Sequence, residues 1–274
     1  MRRFIATLLG AAFLGIACPP PVLADTLASR AHNWSGFYVG GNVGYGWGTV
    51  RNDFALAQPL FLGGNAVLAG TDSNRINGVL GGGQFGYNWQ ADNYLFGIEA
   101  DLQASGQKNS AVFNSAITSL VGFTPGSNPT SISYSNNLEW FSTLRGRVGF
   151  ISGPWLFYGT GGIAIGTIST TGVINPTSTI FVANLPGTWD QSTTKVGWTI
   201  GAGAESAITS NWSWKVEYLY VNFGSVTGFA TLPASNCYSS PGGCVNANAP
   251  GVTSISSKFT DNIVRIGLNY KLGN

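Results

Sequence analysis

The sequence has 274 residues, of which 13% are aromatic and only 9% charged, and its formal net charge is +2. Soluble domains carry about 25% charged residues, so an ordinary water-bathed globule is disfavoured. A net charge of +2 is too small to argue for a nucleic-acid partner. Beyond Ala24 no apolar run reaches about 18 residues, which excludes a membrane-spanning helix.

The chain opens with Arg2 and Arg3, then an apolar run from Phe4 to Ala17, then Val22-Leu23-Ala24. A positive start, a short apolar stretch and small or β-branched residues before a cleavage point describe a secretory signal peptide. Residues 1–24 are therefore expected to be removed, and 25–274 to form one domain. A lipoprotein signal with Cys18 as the lipidated residue is the rival reading. Gly15 stands where such signals carry a large aliphatic residue, and Pro19 follows the cysteine.

The remainder shows period-two alternation, the mark of strands with two unlike faces. In the first run Phe37, Val39, Val43, Tyr45 and Trp47 oppose Tyr38, Gly40, Asn42, Gly44 and Gly46. In the second, Val79, Phe85, Tyr87 and Trp89 oppose Gly82, Gln84, Gly86 and Asn88. In the third, Tyr94, Phe96, Ile98 and Leu102 oppose Gly97, Glu99, Asp101 and Gln103. The fourth sets Leu138, Trp140, Leu144, Val148 and Phe150 against Glu139, Thr143, Arg145 and Arg147. The fifth, Trp155, Phe157, Ile163 and Ile165 against Tyr158, Thr160 and Gly162, is the least regular. The sixth opposes Val196, Trp198 and Ile200 to Lys195, Thr199 and Glu205. The seventh opposes Trp212, Trp214, Val216, Tyr218 and Tyr220 to Ser213, Lys215 and Glu217. The eighth opposes Val264, Ile266, Leu268, Tyr270 and Leu272 to Arg265, Asn269 and Lys271.

Tight turns at 91–93, 152–154 and 209–211 alternate with long polar segments near 51–75, 106–134, 169–192 and 224–258. Eight strands, short turns alternating with long loops, and an outward apolar face predict an all-β fold: an eight-stranded antiparallel up-and-down transmembrane β-barrel. Both termini then lie on the periplasmic side and the long loops on the extracellular side. Trp34, Phe37, Trp89, Tyr94, Phe150, Trp155, Trp212, Trp214 and Tyr270 fall at the short-turn end, as an aromatic girdle does. Trp47, Trp140, Trp198, Tyr220 and Phe259 are expected in the outer girdle.

A soluble sandwich or lipocalin-like barrel is the competing fold. It would turn the bulky face inward, and eight strands enclose only enough space for their own side chains. The charges also oppose it, since they share the face opposite the large rings.

Those charges form the candidate site: Glu99, Asp101, Glu139, Glu205 and Glu217 against Arg145, Arg147, Lys195, Lys215, Arg265 and Lys271. Buried charges must be paired, so a network of salt bridges filling the lumen is expected. A narrow ion pore gated by those pairs is the sharper alternative. Cys237 and Cys244, in a Ser/Pro/Gly/Asn-rich segment, read as a disulfide pinching a loop. With the lone His32 far from both cysteines, no metal or cofactor site is expected. His32 also precedes the first strand, so no catalytic set forms at the outer rim, and no enzyme is expected.

Three segments carry a family resemblance: Trp34-Ser35-Gly36-Phe37-Tyr38-Val39-Gly40-Gly41-Asn42-Val43-Gly44-Tyr45, the stretch from Trp214 to Gly224, and that from Asn262 to Leu272. They resemble the small outer-membrane proteins of the opacity-porin group, which share the barrel of the OmpA membrane domain. The resemblance implies a C-terminal signal read by the barrel-assembly machinery, which Arg265, Gly267, Tyr270 and Leu272 fit, although Gly273 and Asn274 follow where the family stops on an aromatic. Periplasmic chaperones, outer-membrane lipid and lipopolysaccharide are the partners it implies. The expected role is structural, supporting the envelope and presenting surface loops. A small-solute porin or channel, and a surface adhesin or ligand-binding protein, stand as alternatives.

Overall fold

The structure, a computed structural model, describes residues 32–59, 65–116, 129–176, 186–232, 237–240, 243–246 and 251–273. The expected signal peptide lies outside these residues. Ten strands are present among the described residues: β1 (Gly36–Pro59), β2 (Asn65–Ala91), β3 (Tyr94–Ala116), β4 (Pro129–Ser152), β5 (Trp155–Pro176), β6 (Gly187–Ala207), β7 (Trp212–Leu232), β8 (Cys237–Ser240), β9 (Gly243–Asn246) and β10 (Gly251–Leu272). Eight close into an antiparallel barrel in the order β1-β10-β7-β6-β5-β4-β3-β2, and β8 pairs with β9 as a separate hairpin. Closure gives every wall strand two neighbours, which is the condition for crossing a bilayer with strands.

The turn chemistry explains one end of the barrel. Asp92 (φ 52°) and Gly153 (φ 60°) take the left-handed conformation at the first position of two-residue hairpin loops, where Asp and Gly are the favoured residues. Ala91 faces Tyr94 and Ser152 faces Trp155 across these loops.

The strands are far longer than membrane crossing demands. A tilted span takes about 9–11 residues, yet β1 to β7 and β10 run for 21 to 27. Most of the polar segments expected as long loops are therefore strand: residues 51–59 continue β1, 106–116 continue β3, and 251–258 open β10. Composition misleads there because the outward face turns polar where it leaves the apolar belt, while the ladder continues without it.

The exposed apolar side chains mark that belt. It runs from Phe37 to Trp47 on β1, Tyr94 to Leu102 on β3, Trp140 to Phe150 on β4 and Val264 to Leu272 on β10. Val79 and Val196 each expose 67% of their surface, which suits lipid and not water. Trp47, Trp140 and Trp198 lie at its far edge and point outward. Two expected girdle residues do not: Trp34 and Phe259 are buried inside. Phe259 keeps the inward parity of Arg265, Ile263 and Asp261. The register shift beside it inserts Phe223 as an extra residue in β7, next to Gly224 (φ 70°), and reverses the facing of β7 beyond that point. An extra residue in one strand does this because side chains alternate with period two.

Beyond the belt the wall divides. The β2–β3 ladder ends at Asn77↔Lys108, and the β6–β7 ladder stops at Trp198↔Asn222, with only Thr188↔Thr231 past it. The other six ladders continue almost to the strand ends. The two interrupted seams lie on opposite sides of the ring. Past them, two four-stranded sheets face each other, β2-β1-β10-β7 and β3-β4-β5-β6.

Candidate functional site

The inward residues of the membrane-level wall build a charged cluster. Register alone supplies three opposite-charge neighbours: Glu99 beside Arg145, Glu217 beside Arg265, and Glu205 beside Lys215. Cross-strand pairs of this kind stabilise a sheet. The side chains then reach across the lumen. Lys215 Nζ lies 2.8 Å from Glu99 Oε2, joining β7 to β3, with three strands between them in either direction. Arg145 contacts Glu99, Asp101 at 3.0 Å and Glu217 at 3.1 Å. Arg265 lies 2.6 Å from Glu217, 2.8 Å from Asp101 and 3.5 Å from Glu99. Arg147 pairs with Glu205 at 3.2 Å and approaches Glu99 at 3.7 Å.

Four carboxylates and four cations thus meet, and Glu99 touches all four cations. All eight are buried. Neutral side chains complete the shell. Tyr38 and Tyr158 donate their hydroxyls to Glu99 (2.7 Å) and Glu217 (3.0 Å). Arg147 sits between those two rings, 4.8 and 5.2 Å from their centroids, where cation–π attraction adds to pairing. Asn88 accepts from Arg147 Nε, and Ser213 and Asn269 donate to Glu205. Glycine makes the room: a Cβ on Gly86 would stand 2.3 Å from the Tyr38 hydroxyl oxygen, and one on Gly203 2.6 Å from the Tyr158 ring.

Three of the expected network residues are elsewhere. Glu139 occupies the bulge where the β4–β5 register shifts between Leu138 and Trp140. The extra residue puts Leu138 inside and leaves Glu139 exposed, where its carboxylate accepts a hydrogen bond from Ser169. Lys195 is half-buried on β6 at the interrupted seam and makes no ion pair among the described residues. Lys271 lies at the turn end and donates to the Asn33 carbonyl at 2.7 Å.

Apolar layers bracket the cluster. On the turn side Trp34, Leu95, Ile151, Leu156 and Tyr158 pack together. On the far side lies a larger core that includes Leu80, Leu138, Phe141, Leu219, Phe223 and Ile263, all buried. Asp261 is buried at that level and accepts from Gln107 Nε2 at 2.8 Å. Neither this core nor Asp261 is among the expected lumen residues. Continuing the alternation back from Arg265 through Ile263 places Asp261 on the inward face. Farther out, Asn52 and Ser257, Asn136 and Thr170 make buried side-chain hydrogen bonds. Past them Tyr134 donates to Asp72, and burial with that neighbouring carboxylate raises its pKa.

Two small cavities interrupt this filling. One, of about 20 Å3, lies at the turn end between His32, Glu205, Asn269 and Lys271. The other, of about 10 Å3, lies between Trp189, Gln191, Gly228 and Ile255. Each has room for about one water.

Of the expected terminal signal, Arg265 belongs to the cluster, Gly267 faces inward against β1, and Tyr270 and Leu272 face outward. In the β8–β9 hairpin Cys237 stands opposite Asn246 and Cys244 opposite Ser239. This diagonal relation spaces residues about 7–8 Å apart, beyond the Cα separation of about 4.4–6.8 Å usual in a disulfide.

A closed ring of eight strands with an apolar outer belt and a charge-paired interior defines a transmembrane β-barrel with a filled lumen. The chain belongs to the outer membrane protein beta-barrel domain family, whose model matches residues 9–271. It is 32% identical over 241 residues to the 31 kDa outer-membrane immunogenic protein of Brucella melitensis biotype 1, covering 87% of this chain and 84% of that one. It is also 32% identical over 196 residues to the 22 kDa outer membrane protein of Rhizobium leguminosarum bv. viciae, covering 71% and 67%. Among solved structures, outer membrane protein OprG from Pseudomonas aeruginosa aligns over 88% of this chain and 99% of its own, at 15% identity and a TM-score of 0.38.

Proposed function

We propose that this outer-membrane barrel is a non-conducting structural protein that stiffens the envelope and holds polar strands and loops beyond the outer surface. The observation that carries the reading is the stacked filling of the lumen: an apolar layer, eight paired charges, then a second apolar layer. The role asks for rigidity, and a buried charge network that ties opposite walls together, Lys215 to Glu99, supplies it. The same pairing occupies the carboxylates that acid–base chemistry would need, so no enzymatic role is assigned.

The proposal places both termini and the tight turns in the periplasm, with the two-sheet extension outside. Long strands past the belt and the word "immunogenic" in the name of the Brucella relative support a surface-presented extension. Signal removal after Ala24, chaperone escort and insertion by the barrel-assembly machinery through the terminal strand complete the proposal. Lipopolysaccharide is the proposed outer-leaflet neighbour. Closing Cys237 to Cys244 requires the hairpin to slide by two positions, and the mass gained on alkylation before and after reduction tests it.

The deciding experiment is single-channel recording of the refolded mature barrel in a planar bilayer, beside a gel-mobility check of folding. A folded band without reproducible conductance is expected. Stable conductance that changes with Arg145→Ala or Arg147→Ala would make the protein a narrow channel.

A further inference from the structure

We infer that the outer wall carries a binding site for a lipid headgroup bearing phosphates, formed by Arg51, Arg75, Lys108 and Lys258. The proposal rests on the orientation given above. All four side chains are exposed, and each is flanked in sequence by buried inward residues: Val50 and Asn52, Ile76, Gln107, Ser257 and Phe259. They therefore point away from the barrel.

The registers bring them together. Lys258 stands opposite Arg51 on neighbouring strands. Arg75 stands opposite Thr49, two positions from Ser73, the partner of Arg51. Lys108 stands opposite Asn77, two positions from Arg75. Asn109 Nδ2 donates to the Arg75 carbonyl at 2.8 Å and ties these two strands together. The cations so occupy four consecutive strands, β10-β1-β2-β3, a width of about 15 Å at ~4.8 Å per strand.

Their height is equally defined. Trp47, at the edge of the apolar belt, stands opposite Asn77 and Asn262. Arg51 and Lys258 lie four residues beyond that line, Arg75 two, and Lys108 is opposite Asn77 itself. This is the level at which side chains leave hydrocarbon and meet headgroups.

Like charges directly opposite one another destabilise a sheet. The structure offsets little of that here. Asp53 pairs with Arg51 at 3.4 Å, both largely exposed, and also accepts from Thr71. Arg75, Lys108 and Lys258 make no ion pair among the described residues. The rest of the ring has the reverse sign: Glu139 on β4, the strand next to that of Lys108, and Asp190 on β6 are exposed. A diffuse cationic rim would not explain a one-sided band. A ligand with several phosphates, held at headgroup height, answers all four side chains, and guanidinium forks bind phosphate through two parallel hydrogen bonds.

The test uses the folded mature barrel in phosphatidylcholine nanodiscs doped with a bis-phosphorylated glycolipid, its dephosphorylated form, or phosphatidylglycerol. Lipid retained per barrel is read by native mass spectrometry. Preference for the bis-phosphorylated lipid over its dephosphorylated form by about tenfold or more is expected, weakening in high salt. At about fivefold per charge near an anionic surface, R51Q/R75Q/K108Q/K258Q should lose at least that preference, while E139Q/D190N keeps it. Should the quadruple variant fail the gel-mobility check, K108Q/K258Q carries the test, with a loss of about fivefold or more. Equal retention by the variants, or displacement of the lipid by an equimolar amount of inorganic phosphate, overturns the proposal. Conductance is read separately, so a conducting barrel that retains the lipid refutes only the structural reading. Maleimide labelling of Ser73→Cys on intact cells checks the orientation by itself.

Discussion

Replacing Glu99 with glutamine keeps its shape and removes one negative charge from the centre of the lumen. Arg145, Arg147, Lys215 and Arg265 all contact Glu99, and it is 2% exposed, so water cannot compensate. The remaining cluster carries one excess positive charge. Breaking a buried pair by removing one partner costs about 3–5 kcal/mol, and Glu99→Gln should lose an amount in that range. Restoring neutrality should recover most of it: Glu99→Gln with Lys215→Met replaces an ion pair by uncharged side chains, an exchange that is often neutral. Glu139→Gln is the internal comparison. It shares the alternation pattern of Glu99 in sequence but lies on the surface, where substitutions fall within about 0.5 kcal/mol. Urea unfolding in lipid vesicles, followed by tryptophan fluorescence and gel mobility, measures these variants beside the wild type, and the Lys215→Met single variant completes the cycle that gives the coupling energy. A Glu99→Gln loss below about 1 kcal/mol, or a double variant no better than the single one, would refute the network as a source of stability.

Two further outcomes follow from the packing and the terminal strand. Phe141→Ala empties part of the second apolar layer and should lower unfolding free energy by about 3–5 kcal/mol in the same assay; a loss under about 1 kcal/mol would mean that layer is loosely packed. Leu272→Asp puts a charge on the lipid-facing end of β10, where the folded barrel should tolerate it at a cost below about 1 kcal/mol. Its level in outer membranes should nonetheless fall severalfold if the residue is read during assembly, and normal amounts of heat-modifiable protein would discard that role.

The membrane half of the barrel is legible in sequence because two demands coincide there. Lipid wants large apolar groups outside, and a narrow lumen wants small or paired polar groups inside, so alternation is clean from Phe37 to Trp47 and from Val264 to Leu272. Legibility ends where one demand lapses. Past the belt the outward face turns largely polar while Val50, Phe54 and Ile76 lie inward, and β1 to residue 59 reads as loop although the ladder is intact. Bulges erase it differently. One extra residue at Glu139 exchanges the faces of the residues around it, and no composition signal marks the insertion. The interior core has a third cause. Leu80, Phe141 and Phe223 occupy the inward parity at which only small and charged groups are expected. They fit because Gly166 lies directly against Phe141 and Phe223, with a Cβ there meeting both at 3.0–3.1 Å.

The order of the layers bears on conduction more than either layer alone. Salt bridges can exchange partners, and an ion entering the charged cluster could in principle be passed along it. The next step is past Leu80, Leu138, Phe141, Phe223 and Ile263, which offer no ligand, with Asp261 and Gln107 the buried polar pair at that level. Moving an ion from water into such a medium costs on the order of 20 kcal/mol in the idealised limit and several kcal/mol after relaxation. A gate made of exchanging charges would leave that second barrier untouched. The charged layer is therefore better understood as what holds opposite walls together, Lys215 on β7 to Glu99 on β3, than as a path, and the apolar layer beyond it as what keeps those charges dry enough for the pairing to be strong.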